Sequence, residues 1–146
     1  MNEKLRVVLD TNILISSLSR RLPTYKIILD KLFAGDYEAF VTTEILLEYE
    51  EKLAEFFDRE VAETIVGGLA LLENVHKTDL YFRFNLISQD EDDNKFVDVA
   101  LASNAHYLVT NDKDFQHLKN LDYPKIELLT IDEFKFVLEN LKLKPQ

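Results

Sequence analysis

The sequence predicts an α/β fold, with a parallel sheet covered by helices on both faces. Three observations carry that expectation. Short apolar runs stop abruptly at polar residues, as Arg6–Val7–Val8–Leu9 does at Asp10–Thr11–Asn12 and Tyr107–Leu108–Val109 does at Thr110–Asn111–Asp112. Such runs read as strands buried on both faces. Between them lie stretches with apolar residues at helical spacing, and the strand and helix signals alternate along the chain.

Taken in order, the first strand leads into a short helix from Asn12 to Leu18 that ends near Arg20–Arg21. Pro23 breaks the chain. Thr24 is placed to cap a helix over Tyr25–Ala34, with Ile27, Ile28, Leu32 and Phe33 as its apolar stripe and Gly35 as its stop. Ala39–Phe40–Val41 is a second strand, closed by Thr42–Thr43. Thr43 is expected to cap a helix from Glu44 to about Phe57, its apolar side formed by Ile45, Leu46, Tyr49, Leu53, Phe56 and Phe57. Glu48 flanks that side. A further helix covers Asp58–Leu72, weakened by Gly67–Gly68, and Val75–Lys77 is a short strand before a loop through Ser88–Asp92.

A helix then begins in Asp90–Glu91–Asp92–Asp93, where with Asp98 five acids fall in nine residues. The helix dipole favours one or two acids in a first turn; five repel one another unless solvated or sharing a cation. Asp93 is in line with Val97, Ala100 and Asn104, which turns it inward, whereas Asp98 is expected to face out. After the strand at Tyr107–Val109, a last strand is expected over Ile126–Leu129, and Thr130 caps a helix through Phe134, Val137, Leu138 and Leu141.

A chain of 146 residues is most simply one domain, spanning 1–146 and long enough to bury a sizeable core. Its hydrophobic fraction of 47% and charged fraction of 30% are those of a globular protein. It has no apolar run of about 18 residues, so no membrane span is expected. Met1–Asn2–Glu3–Lys4 lacks the features of a secretory signal. The absence of cysteine removes disulfides and thiolate metal sites, and fits a cytoplasmic location.

The net charge of −10 argues against a simple nucleic-acid coat protein. The charge is uneven. Residues 1–28 hold five basic groups (Lys4, Arg6, Arg20, Arg21, Lys26) against two acids, leaving +3, so the remainder carries −13. An acidic body with a local basic patch binds a polyanion if metal ions bridge acids to phosphate; a plain solubility surface accounts for most of the acids equally well.

In open α/β sheets chemistry gathers beyond the carboxyl ends of the strands, where Asp10 and Asp112 fall. Asp10 alone has two readings, a metal-holding carboxylate or a helix N-cap. With Asp93 at a helix start and Glu48 on a flanking helix, a four-carboxylate cluster becomes possible. Such a cluster does not stay ionised without cations. All-oxygen ligation selects magnesium or manganese over zinc, and such ions activate water and clamp phosphate, which suits phosphodiester hydrolysis.

Four blocks, Val7–Asn12, Thr43–Tyr49, Asp92–Phe96 and Val109–Phe115, together resemble the PIN-domain family. The resemblance is strongest to its branch of toxin components of toxin–antitoxin systems, related to the VapC-like ribonucleases. It covers nearly the whole chain with the blocks in order. It implies a Mg²⁺- or Mn²⁺-dependent endoribonuclease on a three-layer α/β/α fold. Its metal-binding acids match Asp10, Glu48, Asp93 and Asp112, with Asn12 and Thr110 supporting them. Asp92 competes with Asp93 for its role, though the Asp–Asn–Lys–Phe pattern favours Asp93, and Asp114 can substitute for or assist Asp112.

Under this reading Asp10, Asp93 and Asp112 hold the ion, while Glu48 binds it or positions the attacking water. Arg20, Arg21 and Lys26 are candidate RNA contacts, with plain surface charge as the alternative; Lys95 and Lys113, beside the acids, are better placed. His76, His106 and His117 are scattered and read as structural or surface residues. The expected partners are RNA and an antitoxin protein, and the oligomeric state stays open between a monomer and a homodimer or higher homo-oligomer.

Two rivals remain. A haloacid-dehalogenase-like phosphatase also opens with a strand and an aspartate, but it requires a second aspartate two residues on, where this chain has Asn12. A PIN-like domain retained as a protein-interaction module would be marked by loss of an acid, and none of the four is missing.

Overall fold

The structure, a computed structural model, describes residues 3–80, 94–120 and 125–141. Five strands form one sheet: β1 (Arg6–Leu9), β2 (Glu38–Val41), β3 (Val75–Lys77), β4 (Tyr107–Val109) and β5 (Leu128–Leu129). Every pairing is parallel and the strand order is β3-β2-β1-β4-β5. The central strand is thus the first in sequence. Its Val7, Val8 and Leu9 are fully buried, which is why that run carries no polar residue until the sheet ends.

The helices are α1 (Thr11–Leu18), α2 (Lys26–Phe33), α3 (Thr43–Phe56), α4 (Arg59–Leu71), α5 (Asn94–Ala102) and α6 (Ile131–Glu139). The chain moves from β1 to β2 and β3 on one side, then returns across β1 to β4 and β5 on the other. Right-handed crossovers therefore put α5 on the face opposite α1 and α2. In agreement, α5 packs across β1, β2 and β4, while α2 packs with α1 and α6. The result is the expected three-layer α/β/α arrangement with a central parallel sheet.

Local chemistry sets the helix ends. Thr42, rather than the expected Thr43, caps α3: it keeps the extended backbone that follows β2, and its hydroxyl accepts the Ile45 N–H at 3.1 Å. Thr24 does not cap α2. It lies in a 3₁₀ turn over Pro23–Tyr25 that feeds the helix, and among the described residues no side chain caps α2. Gly35 does stop that helix: at φ +82° it lets its own N–H reach Leu32 and that of Asp36 reach Lys31, both at 3.0 Å. Asn104, at φ +53°, ends α5 by the same left-handed device and is exposed rather than inward-facing. Thr130 and Glu133 cap α6 reciprocally, and those hydrogen bonds hold the Glu133 carboxyl below its usual range.

Other boundaries shift. The last strand is shorter than expected, Leu128–Leu129, although the Glu127 carbonyl still accepts the Leu108 N–H at 2.9 Å and Ile126 is buried. The α4 helix runs through Gly67–Gly68. A Cβ at Gly68 would meet the Phe33 ring at 3.1 Å, so the missing side chain lets α4 approach α2 closely. The expected loop at Ser88–Asp92 lies outside the described residues.

A buried polar contact ties helix α3 to the central strand. The Tyr49 hydroxyl donates to the Leu9 carbonyl at 2.5 Å, at the last residue of β1. Replacing Tyr49 by phenylalanine leaves the ring's packing intact but strips this bond, and should cost about 1–2 kcal/mol in urea unfolding with the fold retained. A loss below a few tenths would show that the tether contributes nothing.

Candidate functional site

The strand order reverses between β1 and β4, and in open α/β sheets ligands bind beyond the carboxyl ends of the strands at such a switch point. Asp10 follows β1 directly and Thr110 follows β4. Asp10 is only 5% exposed, because it is the first residue past the core and helix α1 starts immediately after it. Both of its oxygens are engaged: one accepts the Thr11 N–H at 2.8 Å and the other accepts the Thr110 hydroxyl at 2.7 Å. Capping and site formation therefore coincide in one residue.

Thr110 is the hinge of the arrangement. Its oxygen also accepts the Asp112 N–H at 3.0 Å, which curls the chain after β4 so that Asp112 returns toward the switch point. Asp112 in turn accepts the Asp114 N–H at 2.9 Å. Asp114 thus contributes its backbone to the turn. The neighbouring Asn111 accepts the Ile131 N–H at 2.9 Å and anchors the same loop to the start of α6.

Glu48 reaches the site from α3. One carboxylate oxygen accepts the Thr11 hydroxyl, and the other lies 2.7 Å from the Lys95 ammonium. Burial pushes the Asp10 carboxyl up to about 6, against two hydrogen bonds that favour its charge, and the nearby charges of Asp112 and Glu48 push the same way. Three carboxylates from β1, α3 and the β4 loop are therefore electrostatically coupled.

Among the described residues no three carboxylate or histidine side chains are arranged to hold an ion by themselves. Asp93, the fourth expected ligand, lies outside the described residues, as does its rival Asp92. The donors present are all oxygens, and a buried carboxylate crowded by two other acids is stabilised by any cation brought near. Magnesium usually takes one or two carboxylates and keeps several waters, so Asp10 and Asp112 fit it by chemistry.

Other expected residues are distributed differently. Asn12 is exposed, and among the described residues no hydrogen bond engages its side chain; its neighbour Thr11 makes the contact to Glu48. Sequence inspection missed Thr11, since a threonine at a first helical position carries no distinguishing signal. Asp98, expected to face out, is 1% exposed: α5 is covered along most of its length, so its polar positions lose solvent too. Lys95 is likewise buried, and it is paired with Glu48. Lys113 is exposed beside Asp112. Arg20 and Arg21 are exposed and line a groove of about 910 Å³ with Phe56, Phe57 and Ile65, and Lys26 lines a smaller one nearby. His76 pairs with Glu38 at 2.8 Å, and His106 accepts the Arg6 N–H at 2.9 Å, both structural contacts at the sheet.

The raised Asp10 pKa fixes a sign. Below about 3.8 the group is protonated folded or unfolded and carries no penalty; as pH rises through about 6, the folded chain must ionise it and stability is lost. The cost approaches about 3 kcal/mol above that range. Asp10→Asn removes the charge but also replaces one of the two accepting oxygens by a donor, a cost present at every pH. Its effect in urea unfolding in EDTA should therefore be more favourable at pH 8 than at pH 4, by about 1–3 kcal/mol. An effect that is the same at both pH values would refute the assignment.

The chain is similar to known proteins in sequence and fold. The PIN domain family matches residues 6–114, which span β1 to the turn after β4. An uncharacterised protein of Methanocaldococcus jannaschii is 31% identical over 126 residues, covering 80% of this chain and 77% of that protein. Among solved structures, VapBC2 from Rickettsia felis, bound to a DNA fragment from its promoter, is similar with a TM-score of 0.58 at 19% identity, covering 86% of this chain and 98% of that one. The PIN domain endonuclease Utp24 is similar with a TM-score of 0.51 at 18% identity, covering 86% and 84%. At these identities the two structures speak for the fold, and the family match and the archaeal relative speak for descent: the chain belongs to the PIN domain family.

Proposed function

We propose that the protein is a Mg²⁺- or Mn²⁺-dependent endoribonuclease, the toxin of a toxin–antitoxin pair, acting on RNA phosphodiester bonds in the cytoplasm. The observation that carries this reading is the buried Asp10 at the end of the central strand, coupled to Asp112 and Glu48 and oriented by Thr110. Family membership and the fold shared with a PIN domain endonuclease support it. The structural likeness to VapBC2 and the acidic surface support a basic protein partner. The absence of cysteine fits the compartment, and among the described residues no helix is long and apolar enough to cross a membrane.

A bound divalent ion supplies Lewis acidity, which activates water and neutralises phosphate charge. Asp10 and Asp112 would hold it, with Asp93 as the further acid that the family resemblance assigns. Glu48, fixed at both oxygens, keeps lone pairs to accept a proton or a hydrogen bond from the attacking water. Thr110 holds the Asp10 carboxylate in place, and Thr11 does the same for Glu48. Lys113 is placed to meet a substrate phosphate. A histidine base would not be needed, since the ion would supply that activation when bound.

Incubation of wild type, Asp10→Asn and Asp112→Asn with a mixed single-stranded RNA panel in magnesium, manganese or EDTA tests the reading. Wild type should cleave with either metal and not in EDTA, and each variant should lose at least about a hundredfold in rate. Equal cleavage by all three would place the activity elsewhere. Complete inertness of folded wild type across the panel would leave the interaction-module reading in its place.

A further inference from the structure

Lys95 is an unusual residue for its position. It lies in the first described turn of α5, and its side chain is only 6% exposed. Burying an ammonium costs several kcal/mol unless a partner compensates it. Among the described residues it pairs with Glu48 at 2.7 Å, whose other oxygen is held by the Thr11 hydroxyl. The ammonium also lies 5.5 Å from the centre of the Phe96 ring, whose negative face favours a cation. A positive charge is therefore built into the protein beside the acids that attract a metal.

We propose that Lys95 is the internal counter-ion of the acidic site, pairing with Glu48 in the metal-free protein and opposing entry of the divalent cation. This rests on the metal-binding reading above and assigns that site a regulator drawn from its own chain. Two charges of like sign near one set of carboxylates compete for the same field, so Lys95 sets how much divalent ion the site needs. A lysine suits the role: its ammonium is a compact charge on a flexible stem that can withdraw, whereas a planar guanidinium would lock onto the carboxylate. Lys95 acts through Glu48 and is a positioning residue.

The test is calorimetric titration of Mn²⁺ into EDTA-stripped protein, with urea unfolding of the same metal-free samples. Lys95→Met should bind Mn²⁺ about tenfold more tightly than wild type, because a nearby repelling charge has gone. It should also unfold at lower urea when metal-free and gain more stability from Mn²⁺. Lys95→Arg, which keeps the charge and grips the carboxylate more firmly, should bind Mn²⁺ no more tightly than wild type. A purely structural ion pair would move the unfolding midpoint and leave the Mn²⁺ affinity unchanged, and that result overturns the proposal. Should Lys95→Met fail to fold, the comparison passes to Glu48→Gln with and without Lys95→Met, where the double variant should again bind about tenfold tighter and equal binding refutes the idea. If wild type itself takes up no Mn²⁺, the metal-binding reading fails and the proposal falls with it; saturable wild-type binding unmoved by Lys95→Met sinks the proposal alone.

Discussion

The buried charge of Asp10 is the constraint around which the rest of this structure is arranged. A carboxylate at the end of the central strand cannot escape to solvent, and two hydrogen bonds from Thr11 and Thr110 do not fully offset its desolvation. The remaining cost is an appetite for positive charge. Asp112 and Glu48 sharpen it by adding like charge nearby, so the protein without a cation is held in a state that its own acids disfavour. A site that binds something tightly is commonly built at the expense of fold stability in this way.

The topology explains why the acids meet. Because β1 sits between β2 and β4, two strand ends far apart in sequence become neighbours at the switch point, 100 residues apart at the Asp10–Thr110 contact. Adjacent residues of α3 then do two jobs. Tyr49 fastens the helix to the Leu9 carbonyl at the end of β1, and Glu48, one position earlier, is delivered to Thr11 at the start of α1. The site is therefore held by regular elements on three sides. The loop after β4, the least regular part, is braced through Thr110, Asn111 and the capped start of α6.

Much of this was legible in the sequence, for identifiable reasons. A strand buried on both faces leaves an unbroken apolar run, so β1 and β4 and the acids that end them stand out. The cap of α3 was legible only to within a residue, since Thr42 and Thr43 offer the same hydroxyl and the choice depends on where the extended backbone of β2 stops. The polar positions of α5 were not legible. Helical spacing assigns one face to solvent, but α5 lies under other elements along most of its length, so Lys95 and Asp98 are buried. Thr11 was invisible for another reason: its partner is 37 residues away, and only the fold brings Glu48 to it. Arg20 and Arg21 show the converse case, since local basic charge was plain but the groove they line was not.

The most direct test of a cation-seeking Asp10 is the titration of its own side-chain carboxyl, followed by carbon NMR in EDTA and again in saturating Mg²⁺. Without metal the midpoint should stand near 6, well above the usual carboxylate range, as burial dictates. With Mg²⁺ the same resonance should stay ionised down to markedly lower pH, because the ion stabilises the charged form. A midpoint that is ordinary in EDTA, or that Mg²⁺ leaves unmoved, would contradict the account at its centre.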